Sequence, residues 1–300
     1  MNSPAAPHAV EIDGLNRKFG DKLALDRVSL QVRRGRVFGL VGANGAGKTT
    51  LIKHLLGRLK PESGTVRVFG FDPVDDPVAV LSRVGYLSEN RDLPVWMRVD
   101  ELIRYTAAFY PRWDAAYAEE LRRQFGLDNH AKVKNLSRGE NAKAGLLIAL
   151  AYRPELLLLD EPSSGLDPVV RRDILEAIIR TVADEGRTVL FSSHLLEEVE
   201  RVADDIAMMF NGRVVLAGAL DDVKENHHRL IFRFDAAQPS PPKIPGVLSL
   251  AGSGQEWTAI CNGKRDEAVA AAARLGARVM AQDSPSLDEI FVAWSGAKLE

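Results

Sequence analysis

Residues 42 to 49 read Gly42-Ala43-Asn44-Gly45-Ala46-Gly47-Lys48-Thr49. They form a complete G-x-x-x-x-G-K-[ST] string between an apolar strand-like run (Val37 to Val41) and a helix-like run (Thr50 to Leu59). Three glycines let the backbone curl so that successive N–H groups point inward. The helix N-terminus that follows adds partial positive charge at the same place. The segment is a phosphate cradle, and it implies binding of a nucleoside triphosphate. In that chemistry Lys48 contacts the β- and γ-phosphates, Thr49 ligates Mg²⁺ and Thr50 reaches the α-phosphate.

A second constellation lies at Leu156-Leu157-Leu158-Leu159-Asp160-Glu161-Pro162, an apolar strand that ends in two acids. Two carboxylates at the end of a buried strand are costly unless they are used. Nucleotide ligands collect at the carboxyl ends of parallel strands, so Asp160 suits a direct or outer-sphere partner of Mg²⁺. Glu161 suits a general base that polarises the attacking water. The other reading is a strand end with solvated acids.

The elements that must hold these groups are legible in outline. Strand candidates are Ala9 to Ile12, Val28 to Val32, Val37 to Val41, Thr65 to Phe69, Val84 to Leu87, Glu155 to Leu159, Thr188 to Ser192, Ile206 to Phe210 and Arg213 to Ala217. Several are continuous apolar runs, which suits strands covered on both faces. Helical periodicity over 51–59, 169–184 and 195–203 alternates with them, so a mostly parallel sheet is expected, with antiparallel pairing among the early strands. Between about Asn90 and Ala151 the texture becomes helix after helix (Val99 to Tyr110, Ala115 to Phe125, Glu140 to Ala151), a helical insertion in an α/β domain. After Gly218 a strand-rich tail follows, interrupted by Pro239-Ser240-Pro241-Pro242 and carrying an Ala-rich helix at Arg265 to Leu275. It reads as a small α+β domain. The expected division is residues 1–218 and 219–300.

The bulk numbers bound the function. At 300 residues, 46% hydrophobic and 27% charged, the chain has an ordinary globular composition. A formal net charge of -2 argues against a sequence-independent grip on nucleic acid. The single cysteine, Cys261, excludes an internal disulfide and reads as a small core residue. His227-His228 reads as a solvated pair, and no zinc spacing is present. The first seven residues lack the pattern of a secretory signal, and no apolar run reaches the length of a transmembrane helix. Any membrane role therefore requires a separate partner.

With both constellations in place, the chain resembles the ATP-binding cassette of ABC transporters over nearly its whole length. Phe19, in Arg17-Lys18-Phe19-Gly20, occupies the place where that family stacks an aromatic ring on adenine; a core plug is the alternative. Leu136-Ser137-Arg138-Gly139-Glu140 stands at the LSGGQ signature, although Ser137 and Glu140 also spell a helix capping box. Ser164-Gly165-Leu166-Asp167 resembles the D-loop. His194, in Ser192-Ser193-His194, resembles the switch histidine, or else is a core histidine. The resemblance implies a P-loop NTPase fold of the ABC type, with a mixed sheet, a helical subdomain and a small C-terminal α+β domain. It also implies ATP and Mg²⁺ as ligands. Glu161, His194 and Lys48 would act in catalysis. Phe19, residues 42 to 50, Ser137, Gly139 and Asp167 would bind nucleotide, and Thr49, Asp160 and Glu89 would face the metal.

The chain departs from the family pattern at three positions. Arg138 replaces a glycine, Glu140 a glutamine, and Glu89, in Gly85-Tyr86-Leu87-Ser88-Glu89, stands where the family has its Q-loop glutamine. The ending Ser284-Pro285-Ser286-Leu287-Asp288-Glu289-Ile290-Phe291 resembles that of ATPases from drug and antibiotic exporters, and it also reads as an amphipathic helix packed on its own domain. The resemblance implies a subunit peripheral to the cytoplasmic face of a membrane, working with a transmembrane permease and a second nucleotide-binding subunit. A homodimer suffices for this, and a heterodimer remains open. The rival readings are an importer ATPase and a soluble ABC protein of repair, translation or cofactor assembly.

Overall fold

The computed structural model describes residues 8–183 and 186–296. The N-terminal stretch examined for a secretory signal and the last residue of the helix expected over 169–184 lie outside the described residues. Two compact units part between Val214 and Val215.

The first unit holds a three-stranded sheet and five strands of a six-stranded one, whose sixth strand carries the division between the units. A long antiparallel hairpin, β1 (His8–Phe19) and β2 (Lys22–Arg33), joins β4 (Ser63–Val68) in the order β2-β1-β4. The larger sheet runs β5-β6-β7-β3-β8-β9, comprising β3 (Val37–Val41), β5 (Val84–Leu87), β6 (Leu156–Asp160), β7 (Thr188–Ser193), β8 (Asp205–Phe210) and β9 (Arg213–Ala219). Pairing is parallel from β5 through β8. Every residue of β3, β6 and β7 is buried, as unbroken apolar runs require. Asn211 and Gly212, both at positive φ, make the tight turn from β8 to β9. The fold is the expected α/β P-loop arrangement.

Helices cover the parallel sheet. α1 (Lys48–Leu55) follows β3, and the short α2 (Pro77–Leu81) precedes β5. Between β5 and β6 come α3 (Val99–Ala107), α4 (Ala115–Gln124), a 3₁₀ turn at Val133–Asn135 and α5 (Arg138–Leu150). The starts are written locally: Asp114 accepts from the Tyr117 N–H at 2.9 Å, and Glu101 accepts from the Arg98 N–H at 2.8 Å. α6 (Pro168–Ala183) and α7 (Leu196–Val202) flank β7.

The second unit contains α8 (Leu220–Asn226), β10 (His227–Gln238), β11 (Val247–Asn262), α9 (Arg265–Arg274), β12 (Ala277–Asp283) and α10 (Leu287–Gly296). Its antiparallel sheet has the order β11-β10-β12. Leu230, Phe232, Phe234, Trp257 and Ala259 form its core with Ala268, Ala271 and Ala272 of α9, whose small side chains let the helix lie close to the sheet. α10 buries Leu287 and Ile290, as an amphipathic helix of this domain should. Cys261 is fully buried, and burial pushes its thiol up to about 11.

One expectation is corrected. His227 is not solvated: only 1% of it is exposed. Its Nδ1 lies 2.6 Å from the Val223 carbonyl, and its Nε2 accepts from the Trp294 indole N–H at 3.0 Å. The ring caps the end of α8 and ties α10 to β10. A neighbouring histidine concealed this, because the partner tryptophan lies 67 positions away in sequence.

Candidate nucleotide site

The cradle leaves β3 at Val41 and enters α1 at Lys48. Close backbone approach fixes two of its glycines. A Cβ on Gly42 would stand 2.4 Å from the Met209 carbonyl oxygen, and one on Gly47 (φ +109°) 2.7 Å from that of Ala24. No side chain caps the N-terminus of α1, which leaves its leading N–H groups to an anion.

A cleft of about 440 Å³ opens over this loop. One wall is Asn44, Gly45, Gly47, Lys48, Thr49 and Thr50. The hairpin supplies Phe19, Lys22 and Ala24, and Glu89 and Glu161 stand opposite. Phe19 is 47% exposed and therefore does not plug the core; the Arg17 guanidinium lies over its ring, 4.8 Å from the centroid. Gly42 and Ala46 are buried beneath the loop, and the Ala43 carbonyl turns inward to accept from Lys48 at 3.3 Å.

Beneath the cleft the charges are buried and paired. Lys48 is 5% exposed; its Nζ lies 2.5 Å from the Gly42 carbonyl and 3.0 Å from Glu161 Oε1. The other Glu161 oxygen lies 2.7 Å from His194 Nδ1. Glu161 itself takes φ +49°, a sparsely populated region for a side-chain-bearing residue. Its N–H donates to Ser192 Oγ at 2.9 Å, and that hydroxyl donates onward to Asp160 Oδ1 at 2.8 Å. Thr49 Oγ1 donates to the same Asp160 oxygen at 3.2 Å. Burial pushes the Asp160 carboxyl above the usual range, opposed by the bonds from Ser192 and Thr49 and reinforced by the charge of Glu161. Ser192 links the two acids, a role that its place in Ser192-Ser193-His194 does not announce. The available signal is its position across from Asp160 in the β6–β7 register. Lys22 carries no such signal.

Ser137, Gly139 and Asp167 do not line this cleft. Ser137 and Glu140 form the capping box of α5, with the Glu140 N–H donating to Ser137 Oγ at 3.2 Å and the Ser137 N–H to Glu140 Oε2 at 2.8 Å. The bond from the Ser137 N–H, and then the Ser137 side chain, holds the Glu140 carboxyl below its ordinary value. Ser137 and Arg138 are exposed, whereas Gly139 is buried and a Cβ there would stand 2.8 Å from Val170 Cγ2. Asp167 caps α6, accepting from the N–H groups of Val169 and Val170 at 3.0 and 3.1 Å.

Among the described residues no three His, Cys, Asp or Glu side chains gather as a closed metal site, and no helix is long and apolar enough to cross a membrane.

A family model described as ABC transporter matches residues 25–164. The ABC transporter ATP-binding protein YtrB of Bacillus subtilis (strain 168) is 28% identical, over 96% of this chain and 99% of its own length. The daunorubicin resistance ATP-binding protein DrrA3 of Streptomyces coeruleorubidus is 36% identical, over 73% of this chain and 71% of its own. A solved structure described as the ATP binding subunit of an ABC transporter superposes with a TM-score of 0.66 at 31% identity, covering 72% of this chain and 92% of that one.

Proposed function

The chain belongs to the ABC transporter ATP-binding family, whose members bind and hydrolyse ATP, and from that premise we propose an export ATPase that docks on a separate transmembrane permease at the cytoplasmic face of a membrane. The likeness to a daunorubicin resistance protein and the exporter-like ending at Ser284 to Phe291 support the direction of transport. The observation that carries the reading is the line from the Gly42 carbonyl through the buried Lys48 and Glu161 to the partly exposed His194.

Residues 1–218, with the helical insertion at about 90–151, carry the ATPase machinery, and residues 219–300 form an accessory domain. Phe19 stacks on the adenine. The N–H groups of the 42–47 loop and the start of α1 receive the phosphates, and Lys48 turns from Glu161 to the β- and γ-phosphates. That exchange frees Glu161 to take a proton from the attacking water. With a proton on each ring nitrogen, His194 would donate Nδ1–H to Glu161 and Nε2–H to the γ-phosphate. Thr49, Asp160 and Glu89 would hold Mg²⁺. All three offer oxygen, the donor type this hard cation takes when water and phosphate complete its shell. When bound, the ion neutralises charge on the phosphate oxygens.

Ser137, Gly139 and Asp167 act across an interface with a second cassette, which a copy of this chain can supply. Nothing in the charge balance supports nucleic acid as the partner. The test is Glu161→Gln: hydrolysis is nearly abolished while an ATP-dependent dimer persists on size exclusion. Wild-type turnover would remove Glu161 from the role of base. Copurification from membranes with a permease of about six spans tests the export assignment; recovery with an importer permease, or only with soluble partners, sinks it.

A further inference from the structure

Arg91 lies two residues beyond Glu89 on a sharply turned segment, and its own backbone is left-handed (φ +51°). The turn is closed by the Arg91 N–H donating to the Ser88 carbonyl at 3.1 Å and the Leu93 N–H donating to the Arg91 carbonyl at 2.7 Å. The side chain crosses to the other wall of the site. Its Nη2 donates to the carbonyls of Pro162 at 3.0 Å and Ser164 at 2.9 Å. Those carbonyls belong to the turn that begins at Glu161 and is closed by the Ser164 N–H donating to the Glu161 carbonyl at 3.1 Å. Two left-handed residues, Glu161 and Arg91, are therefore joined through one guanidinium.

We propose that Arg91 is a positioning residue that couples the Ser88–Leu93 segment to the orientation of Glu161. The Pro162 carbonyl belongs to the peptide one residue beyond Glu161, so holding it, with the Ser164 N–H on the Glu161 carbonyl, fixes the turn that Glu161 opens. A residue at a sparsely populated φ keeps that conformation only where its surroundings over-determine it. Here the Ser192 hydroxyl holds the Glu161 N–H, and Arg91 holds the turn on the carbonyl side. The Nη2 amino group, with two N–H donors, reaches both acceptors at once. Arg91 Nε is buried without a hydrogen-bond partner, so the side chain is not placed there by its own solvation. A second guanidinium borders the turn, since Arg138 Nη1 lies 3.6 Å from where a Cβ on Gly165 would sit. Movement of the segment that carries Glu89 is thereby transmitted to the acid that activates water, over a path of one side chain.

This inference rests on Glu161 acting as the base. The test uses the full chain, measuring kcat for Mg²⁺-ATP, the Kd of a non-hydrolysable ATP analogue and the thermal midpoint. Arg91→Ala lowers kcat about tenfold and leaves the Kd within about twofold, because Arg91 does not line the nucleotide cleft. Arg91→Lys, which keeps a cation able to reach one carbonyl, recovers part of the rate. Three results overturn the inference: a kcat for Arg91→Ala within twofold of wild type, a parallel loss of rate and affinity, or no recovery with lysine. If the alanine variant does not fold, lysine alone decides. A few-fold lower kcat at unchanged Kd supports the lever; full rate or a matching loss of affinity overturns it. Glu161→Gln run alongside separates the two failures. Full turnover there removes the base, whereas its loss beside an Arg91→Ala enzyme of wild-type rate removes only the coupling.

Discussion

Lys48 Nζ stands 3.0 Å from Glu161 Oε1, with 5% and 6% of the two side chains exposed, so the cation proposed to bind phosphate is matched by the acid proposed to activate water. Both charges are almost wholly out of solvent. Removing one member of a buried pair strands the other, which typically costs about 3–5 kcal/mol. Lys48→Ala should therefore lose nucleotide binding and also lower the thermal midpoint. The double variant Lys48→Ala/Glu161→Gln should regain most of the stability and none of the binding. Calorimetry with nucleotide titration checks this; a double variant as unstable as the single one would remove the pairing as the cause.

Phe19 gives the opposite contrast. Its ring is half exposed and covered on one face by Arg17, so truncation removes little core. Phe19→Ala should shift unfolding by no more than about 0.5 kcal/mol, as surface substitutions do. It should weaken adenine nucleotides about two- to tenfold, the worth of a lost stacking contact of about 0.5–1.5 kcal/mol. Equal weakening of inorganic triphosphate would show that the ring does not meet the base.

At Gly139 two effects compete. Alanine is the better helix former by about 1 kcal/mol, yet its methyl would stand 2.8 Å from a Val170 methyl on α6. Overpacking of that kind costs about 1–3 kcal/mol, so the clash should win and Gly139→Ala should be destabilised. Adding Val170→Ala should restore the stability. If it does not, α5 and α6 do not set the requirement for glycine, and close approach of a nucleotide becomes the stronger reason.

His227 makes the second unit sensitive to pH. Burial lowers its pKa, opposed by the bond to the Val223 carbonyl and reinforced by the charge of His228. The unfolded chain, with a histidine pKa near 6.5, binds the proton first. Stability is therefore present above about pH 6.5 and is lost as pH falls from there through the lower folded value. The midpoint of the wild-type chain should drop between pH 7.5 and 5.5 more steeply than that of His227→Asn. Parallel curves would mean that other groups carry the dependence.

The cradle was legible because glycine spacing, lysine and hydroxyl are contiguous and their geometry is local. The all-buried strands β3, β6 and β7 announced themselves as unbroken apolar runs. Short elements did not: α2 has one turn headed by Pro77, and α8 is too brief for a helical period to show. Ser192 acquires its role from strand register, and Arg91 from an acceptor 71 positions away, so neither is written in its neighbourhood. His227 misled because its satisfaction depends on Trp294 at the far end of the same unit.

Ser137 sits on an exposed helix tip and does not line its own molecule's cleft. If that hydroxyl completes the site on another copy, the kinetic order of the reaction changes. Isolated molecules in dilute solution would turn over little, and specific activity would climb with protein concentration until encounters saturate. A permease that holds two cassettes side by side abolishes that dependence, replacing a diffusional meeting with a fixed local concentration.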